Sequence, residues 1–217
     1  MIKLAAFFGN PGHEYAHNRH NAGRMAAQAM PFYRSLSWKK KFKGLYTAHM
    51  PQPREGSPLE GVHLLMPETY MNLSGESVFA AASFFKIKIE EIIVVHDELE
   101  LPLSCISLKY SGGLGGHNGL RSMQKCFDSA DFWRLRIGLG RPDSRLPGEG
   151  GAASNANPGI IDWVLSDFTK DEQETLFPAL DAAANLLMQI FVREPETLLK
   201  EWAKKKIQIP QPAVTQE

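Results

Sequence analysis

The run Glu91-Ile92-Ile93-Val94-Val95 constrains the fold more than any other stretch of the chain. Four β-branched residues in a row, with no alternating polar position, suit a short strand covered on both faces, and such strands belong to parallel sheets flanked by helices. The run delivers His96, Asp97 and Glu98 to its carboxyl end, where open α/β sheets place their chemistry. Downstream, Gly112, Gly113, Gly115 and Gly116 crowd into five positions before His117, Asn118 and Gly119. Such a turn can take positive φ and approach a ligand closely. The alternative is a plain turn joining a strand over Cys105–Tyr110 to a helix over about Asn118–Phe127.

Similar units occur on either side. Ile2–Phe8 reads as a buried strand stopped by Asn10-Pro11-Gly12, and Asn21–Met30 as a helix. A basic segment, Lys39 to Lys43, precedes a strand at Gly44–Met50 and a loop marked by Pro51, Pro53, Gly56 and Pro58. Val62–Met66 is a further strand, followed by a helix through Phe85 that Asn72 or Ser74 would cap. Phe132–Leu139 reads as a strand with Arg134 and Arg136 alternating, Arg141–Gly159 as loop, and Ile160–Leu165 as a last strand. From Lys170, Leu176, Leu180, Ala183, Leu187 and Phe191 recur at helical spacing. A second helix fits Glu196–Lys206, closed by lysines. Strands alternating with helices, without repeat or linker, imply one α/β domain over residues 1–206: a compact, mixed, mostly parallel twisted sheet with helices on both faces. Residues 207–217 are expected to form a disordered tail.

Composition narrows the function classes. The 24 basic and 24 acidic residues cancel, so any nucleic-acid contact must rest on a local patch. Cys105 and Cys126 are too few for a disulfide framework, which makes reduced thiols in a cytoplasm the default. The apolar start, Leu4–Phe8, is too short for a signal h-region or a membrane span.

Three strand ends carry more polar residues than a turn requires: Asn10 through His20, Tyr70 through Asn72, and His96-Asp97. Side by side in one sheet, they would converge. A carboxylate beside an imidazole holds its tautomer and stabilises the imidazolium, while asparagine amides can hold an oxyanion without competing for the proton. Taken singly, Asn10 is a turn former, Asn72 a cap and Asp97 a loop carboxylate. His13-Glu14-Tyr15-Ala16-His17 satisfies the zincin pattern, but it follows Asn-Pro-Gly directly and so occupies at best a first helical turn. There is no G-x-S-x-G elbow and no Walker A lysine. Ser111 and Cys105 are nucleophile types with no adjacent base.

Gly9-Asn10-Pro11-Gly12 with Glu14-Tyr15, Arg19-His20-Asn21-Ala22-Gly23, Tyr70-Met71-Asn72-Leu73-Ser74-Gly75, His96-Asp97-Glu98-Leu99, Gly115-Gly116-His117-Asn118-Gly119-Leu120 and Arg134-Leu135-Arg136-Ile137-Gly138 resemble, in order and spacing, the bacterial-type peptidyl-tRNA hydrolases. The resemblance spans about residues 2–200. It implies a compact monomer that cleaves the ester joining a peptide to the 3′-terminal ribose of tRNA, with peptidyl-tRNA as partner and neither metal nor cofactor. On that resemblance His20 is the catalytic base, Asp97 its orienting carboxylate, and Asn10 and Asn72 the amides that hold substrate carbonyl and water. Asn118 orients water or substrate, Tyr15, Met71 and His117 shape the peptide groove, and Lys109 and Arg136 contact tRNA phosphates. Phe7-Phe8 replaces the smaller aliphatics usual before the Asn-Pro-Gly turn, Leu114 stands where many members have histidine, and Leu146–Gly159 is longer than the usual connection.

Overall fold

The computed structural model describes residues 1–51, 61–142 and 159–208. Within them lie strands β1 (Leu4–Phe7), β2 (Lys39–Lys41), β3 (Gly44–His49), β4 (Val62–Pro67), β5 (Ile92–Glu98), β6 (Cys105–Tyr110), β7 (Trp133–Gly138) and β8 (Lys205–Lys206). They form one sheet in the order β2-β3-β4-β1-β5-β7-β6-β8. The central strands β4, β1, β5 and β7 are parallel, and the strands outside them pair antiparallel. Every residue of β1 is buried, as is β5 from Ile92 to Asp97, because helices cover both faces. Helices α1 (Ala22–Gln28) and α5 (Lys170–Ile190) pack with Phe7, Ile93 and Val95 on one side. Helices α2 (Ser74–Phe85) and α3 (Asn118–Phe127) pack with Leu4, Phe8 and Val94 on the other.

Gly23 brings α1 onto the strand ends. A Cβ there would lie 2.3 Å from the Val95 carbonyl oxygen and 2.6 Å from that of Phe8, so no larger residue permits this approach. The turn just before α1, Arg19–Asn21, is thereby held over the carboxyl end of β5.

Three readings differ from the sequence expectation, and the basic segment, given no structure there, supplies an edge strand. Ile160–Leu165 is a helix, α4, although its β-branched residues suit a strand. The Trp163 indole N–H donates to the Gly140 carbonyl at 3.1 Å and its ring carries the Arg19 guanidinium at 3.9 Å, contacts that override local propensity. Glu196–Lys206 is not one helix: a 3-10 turn (Pro195–Leu198) leads into α6 (Leu199–Trp202), and Lys205 and Lys206 pair with Ile106 and Cys105 as an edge strand. Lys39–Lys41 is also an edge strand, where lysines discourage pairing with another chain. No side chain caps α2; Ser122 Oγ of α3 instead accepts the Gly75 N–H at 2.9 Å.

At the C-terminal boundary, Ile207 still donates its N–H to the Ser104 carbonyl at 2.9 Å. The rest of the expected tail, 209–217, lies outside the described residues, as do Pro53, Gly56, Pro58 and nearly all of the 146–159 connection. Among the described residues no helix is long and apolar enough to cross a membrane.

Candidate active site

Because β4, β1 and β5 are parallel neighbours, their carboxyl ends bring three polar segments to one edge of the sheet. Asp97, near the end of β5, is 3% exposed, and its Oδ1 stands 2.8 Å from His20 Nδ1 and 2.9 Å from His117 Nε2. His117 precedes α3, and its Nδ1 accepts the Gly119 N–H at 3.1 Å. With Nδ1 occupied as an acceptor, the ring hydrogen of neutral His117 sits on Nε2 and points at Asp97. His20 likewise donates from Nδ1, which leaves Nε2 as a lone pair without a partner among the described residues. Burial disfavours charge on His20, but the charge and hydrogen bond of Asp97 outweigh it and raise its pKa above the ordinary imidazole value. Burial pushes the Asp97 carboxyl up, yet the neighbouring His20 and His117 hold it well below the usual carboxylate range.

The two imidazoles and the carboxylate present atoms within 4.8 Å of one another, close enough to consider a cation. The Gly119 bond argues for a proton network instead, because it leaves the His117 hydrogen on Nε2, the nitrogen that faces Asp97.

Asn10, after β1, is held from two sides. Asn21 Oδ1 accepts the Asn10 N–H at 2.9 Å and Asn21 Nδ2 donates to the Asn10 carbonyl at 3.0 Å. The Asn10 Oδ1 accepts the Met71 N–H at 2.8 Å, so its side-chain NH₂ is the end available as a donor. Asn72 follows on the 3-10 turn Met71–Leu73 and is exposed. Met71 is buried, and a Cβ on Gly119 would come within 2.8 Å of its sulfur.

A cleft of about 200 Å³ opens beside this network, lined by His20, Asp97, His117, Asn118, Gly115, Gly116 and, from α4, Ile160, Ile161 and Val164. Gly115 and Gly116 have φ of 58° and 76°, the left-handed region that the glycine run suggests. Tyr15 is half-buried on the turn His13–Tyr15 and is not part of this lining. His13 and His17 are exposed on or beside that single turn, so the zincin pattern has no helix to stand on. Neither Cys105 nor Ser111 lines the cleft; Cys105 is buried and Ser111 donates to Asp131 at 2.6 Å.

Lys109 and Arg136 lie on the neighbouring strands β6 and β7. Arg136 is engaged within the fold, donating to Ser107 Oγ at 2.6 Å and standing 3.5 Å from Glu98. Three supporting residues, Asn21, Arg19 and Arg134, were given no role in the sequence reading of the site. Asn21 fixes Asn10, as above. Buried Arg19 donates to Ser166 Oγ and the Asp167 carbonyl and pairs with Glu172 at 2.5 Å, tying the His20 turn to the segment after α4. Arg134, 1% exposed, donates to the Gly113 carbonyl at 2.7 Å and that of Gly112 at 2.9 Å. His96 donates from Nδ1 to the Asp97 carbonyl at 2.7 Å, so its side chain does not serve the Asp97 carboxylate. Arg19, Asn21 and Arg134 stand inside the motifs quoted above, which was the signal available.

The family model described as peptidyl-tRNA hydrolase matches residues 4–210. A peptidyl-tRNA hydrolase of Treponema pallidum (strain Nichols) is 43% identical over 210 residues, covering 95% of this chain and 96% of the relative. The crystal structure of peptidyl-tRNA hydrolase from Acinetobacter baumannii superposes with a TM-score of 0.74 at 33% identity, covering 95% of this chain and 96% of that one. A peptidyl-tRNA hydrolase crystallised with N-propanol gives the same TM-score and identity over 93% and 92% of the two chains. A match across nearly the whole length, in sequence and in fold, places this chain in the peptidyl-tRNA hydrolase family.

Proposed function

We propose that this enzyme hydrolyses the ester between the peptide and the 3′-terminal ribose of peptidyl-tRNA by general-base activation of water, with His20 as the base. The observation that carries this reading is the His20–Asp97 hydrogen bond of 2.8 Å, which commits Nδ1 as donor and leaves the Nε2 lone pair on a residue that lines the cleft. Water gives a proton to His20 Nε2 as its oxygen bonds to the ester carbonyl carbon, and Asp97 stabilises the imidazolium. The Asn10 NH₂ donates to the oxygen on which charge develops, with Asn72 and Asn118 holding water and substrate. When the intermediate collapses, the carbon–oxygen bond to the ribose breaks and the leaving 3′-oxygen takes the proton back from His20. Neither metal nor cofactor takes part in this scheme.

Met71, Tyr15 and His117 shape the peptide side of the site, and Lys109 and Arg136 meet tRNA phosphates. The protein works as a monomer, as the family resemblance implies, and in the cytoplasm, a reading supported by the free thiols Cys105 and Cys126. The test is hydrolysis of an N-blocked aminoacyl-tRNA in the presence of a chelator, with the unblocked aminoacyl-tRNA alongside. Rapid cleavage of the blocked substrate alone is expected; loss of that cleavage in chelator contradicts the metal-free scheme.

A further inference from the structure

Asp97 Oδ1 receives two imidazoles, and the role just given accounts for only one. His117 Nε2 stands 2.9 Å from the oxygen that also receives His20 Nδ1 at 2.8 Å, and the two rings lie 4.9 Å apart between centroids. The direction of the His117 bond is fixed from behind by the Gly119 N–H, which occupies Nδ1. The ring is also confined: His96 meets it edge-on at 4.9 Å and Phe8 lies at 6.3 Å. His117 is therefore oriented as a permanent donor to Asp97 rather than as a loose wall of the groove.

We propose that His117 is a positioning residue for Asp97: by donating to the oxygen that receives His20, it orients the carboxylate and limits how tightly the carboxylate holds the proton of the base. This rests on the general-base reading of His20. A carboxylate that shares its charge with a second donor stabilises the His20 imidazolium less than an undivided one, and the base releases its proton more readily to the leaving ribose oxygen. Two imidazoles thus meet one carboxylate, His96 bonding only the Asp97 backbone carbonyl, and only His20 is placed to exchange protons with substrate. Buried His96 is held neutral, its pKa well below the ordinary value, chiefly by desolvation and then by His117. The other charged groups nearby are Glu98, paired with Arg136; Arg141, paired with Glu100; Arg134, which bonds the glycine turn and acts on His96; and Arg121, whose guanidinium would lie 4.0 Å from a Cβ on Gly116.

The test follows the His20 ring by NMR across pH, together with the pH profile of kcat/KM, in the native enzyme and in His117→Phe. The phenylalanine keeps the bulk that excludes water and removes the donor. The His20 midpoint and the acid limb of kcat/KM are expected to move up together, by about one pH unit. His117→Gln, which retains a donor, should bring both back toward the native values. A midpoint that stays put or falls in the phenylalanine variant overturns the proposal. If the ring titration moves but the activity profile does not follow, the tuning stands and the general-base reading of His20 fails. One measurement needs no variant: ¹⁵N shifts of native His117 should report hydrogen on Nε2, the nitrogen that faces Asp97, and an accepting Nδ1. Hydrogen on Nδ1 with Nε2 bare contradicts the arrangement.

Discussion

Asn21 grips both backbone groups of Asn10 through one side chain, accepting its N–H at 2.9 Å and donating to its carbonyl at 3.0 Å. With Asn10 Oδ1 already accepting from Met71 N–H, the amide can turn only its NH₂ toward substrate. Asn10→Asp keeps the acceptor and the shape but removes the donor. It should lower kcat about 10²–10³-fold with little change in melting temperature, read by single-turnover hydrolysis beside thermal unfolding.

Asp97→Asn places an amide against His20 Nδ1. An amide NH₂ there would favour the tautomer with its proton on Nε2, removing the base, so a loss of about 10²–10⁴ in kcat is expected. The sign of the remaining pH dependence is fixed by linkage. The native His20 pKa is raised, so kcat/KM should fall with acid around a midpoint above about 6.5. Without the carboxylate that limb should shift to lower pH, as a pH–rate profile of the residual activity would show.

Arg134 holds the glycine turn by the Gly112 and Gly113 carbonyls, and removing it takes away two charge-assisted hydrogen bonds that tie the turn to β7. Arg134→Met should cost about 2 kcal/mol or more of stability and should speed amide exchange at residues 112–116 before the rest of the sheet. Calorimetry and hydrogen exchange check the two halves separately.

For tRNA, Lys109 is the partly exposed cation of the expected pair, whereas Arg136 is bonded to Ser107 and close to Glu98. Lys109→Ala should weaken binding of tRNA whatever peptide it carries and reduce the salt slope of log K by about one. Affinities measured at several salt concentrations provide the check.

The central frame was legible because β1, β4 and β5 are short apolar runs whose polar ends announce themselves. His20 and Asp97 could be suspected of meeting although they lie 77 positions apart, since parallel strands align their carboxyl ends. What stayed hidden depends on direction rather than identity. That His117 serves Asp97, that Asn21 serves Asn10, and that Arg134 serves the turn after the neighbouring strand β6 follow from hydrogen-bond geometry, which residue type alone does not fix. Helix α4 was misread because Ile160 and Ile161 carry strand propensity while its fate is decided by Trp163 meeting Arg19 and Gly140. Lys205 and Lys206 were read as a helix end because charge is blind to the edge of a sheet.

The account depends on His20 acting as the base. Single-turnover hydrolysis of an N-blocked aminoacyl-tRNA by His20→Ala, at saturating enzyme and neutral pH, tests this directly. A rate about 10²–10⁴-fold below the native enzyme, with an unchanged melting temperature, is the predicted result. Cleavage at a near-native rate by the folded variant would contradict it.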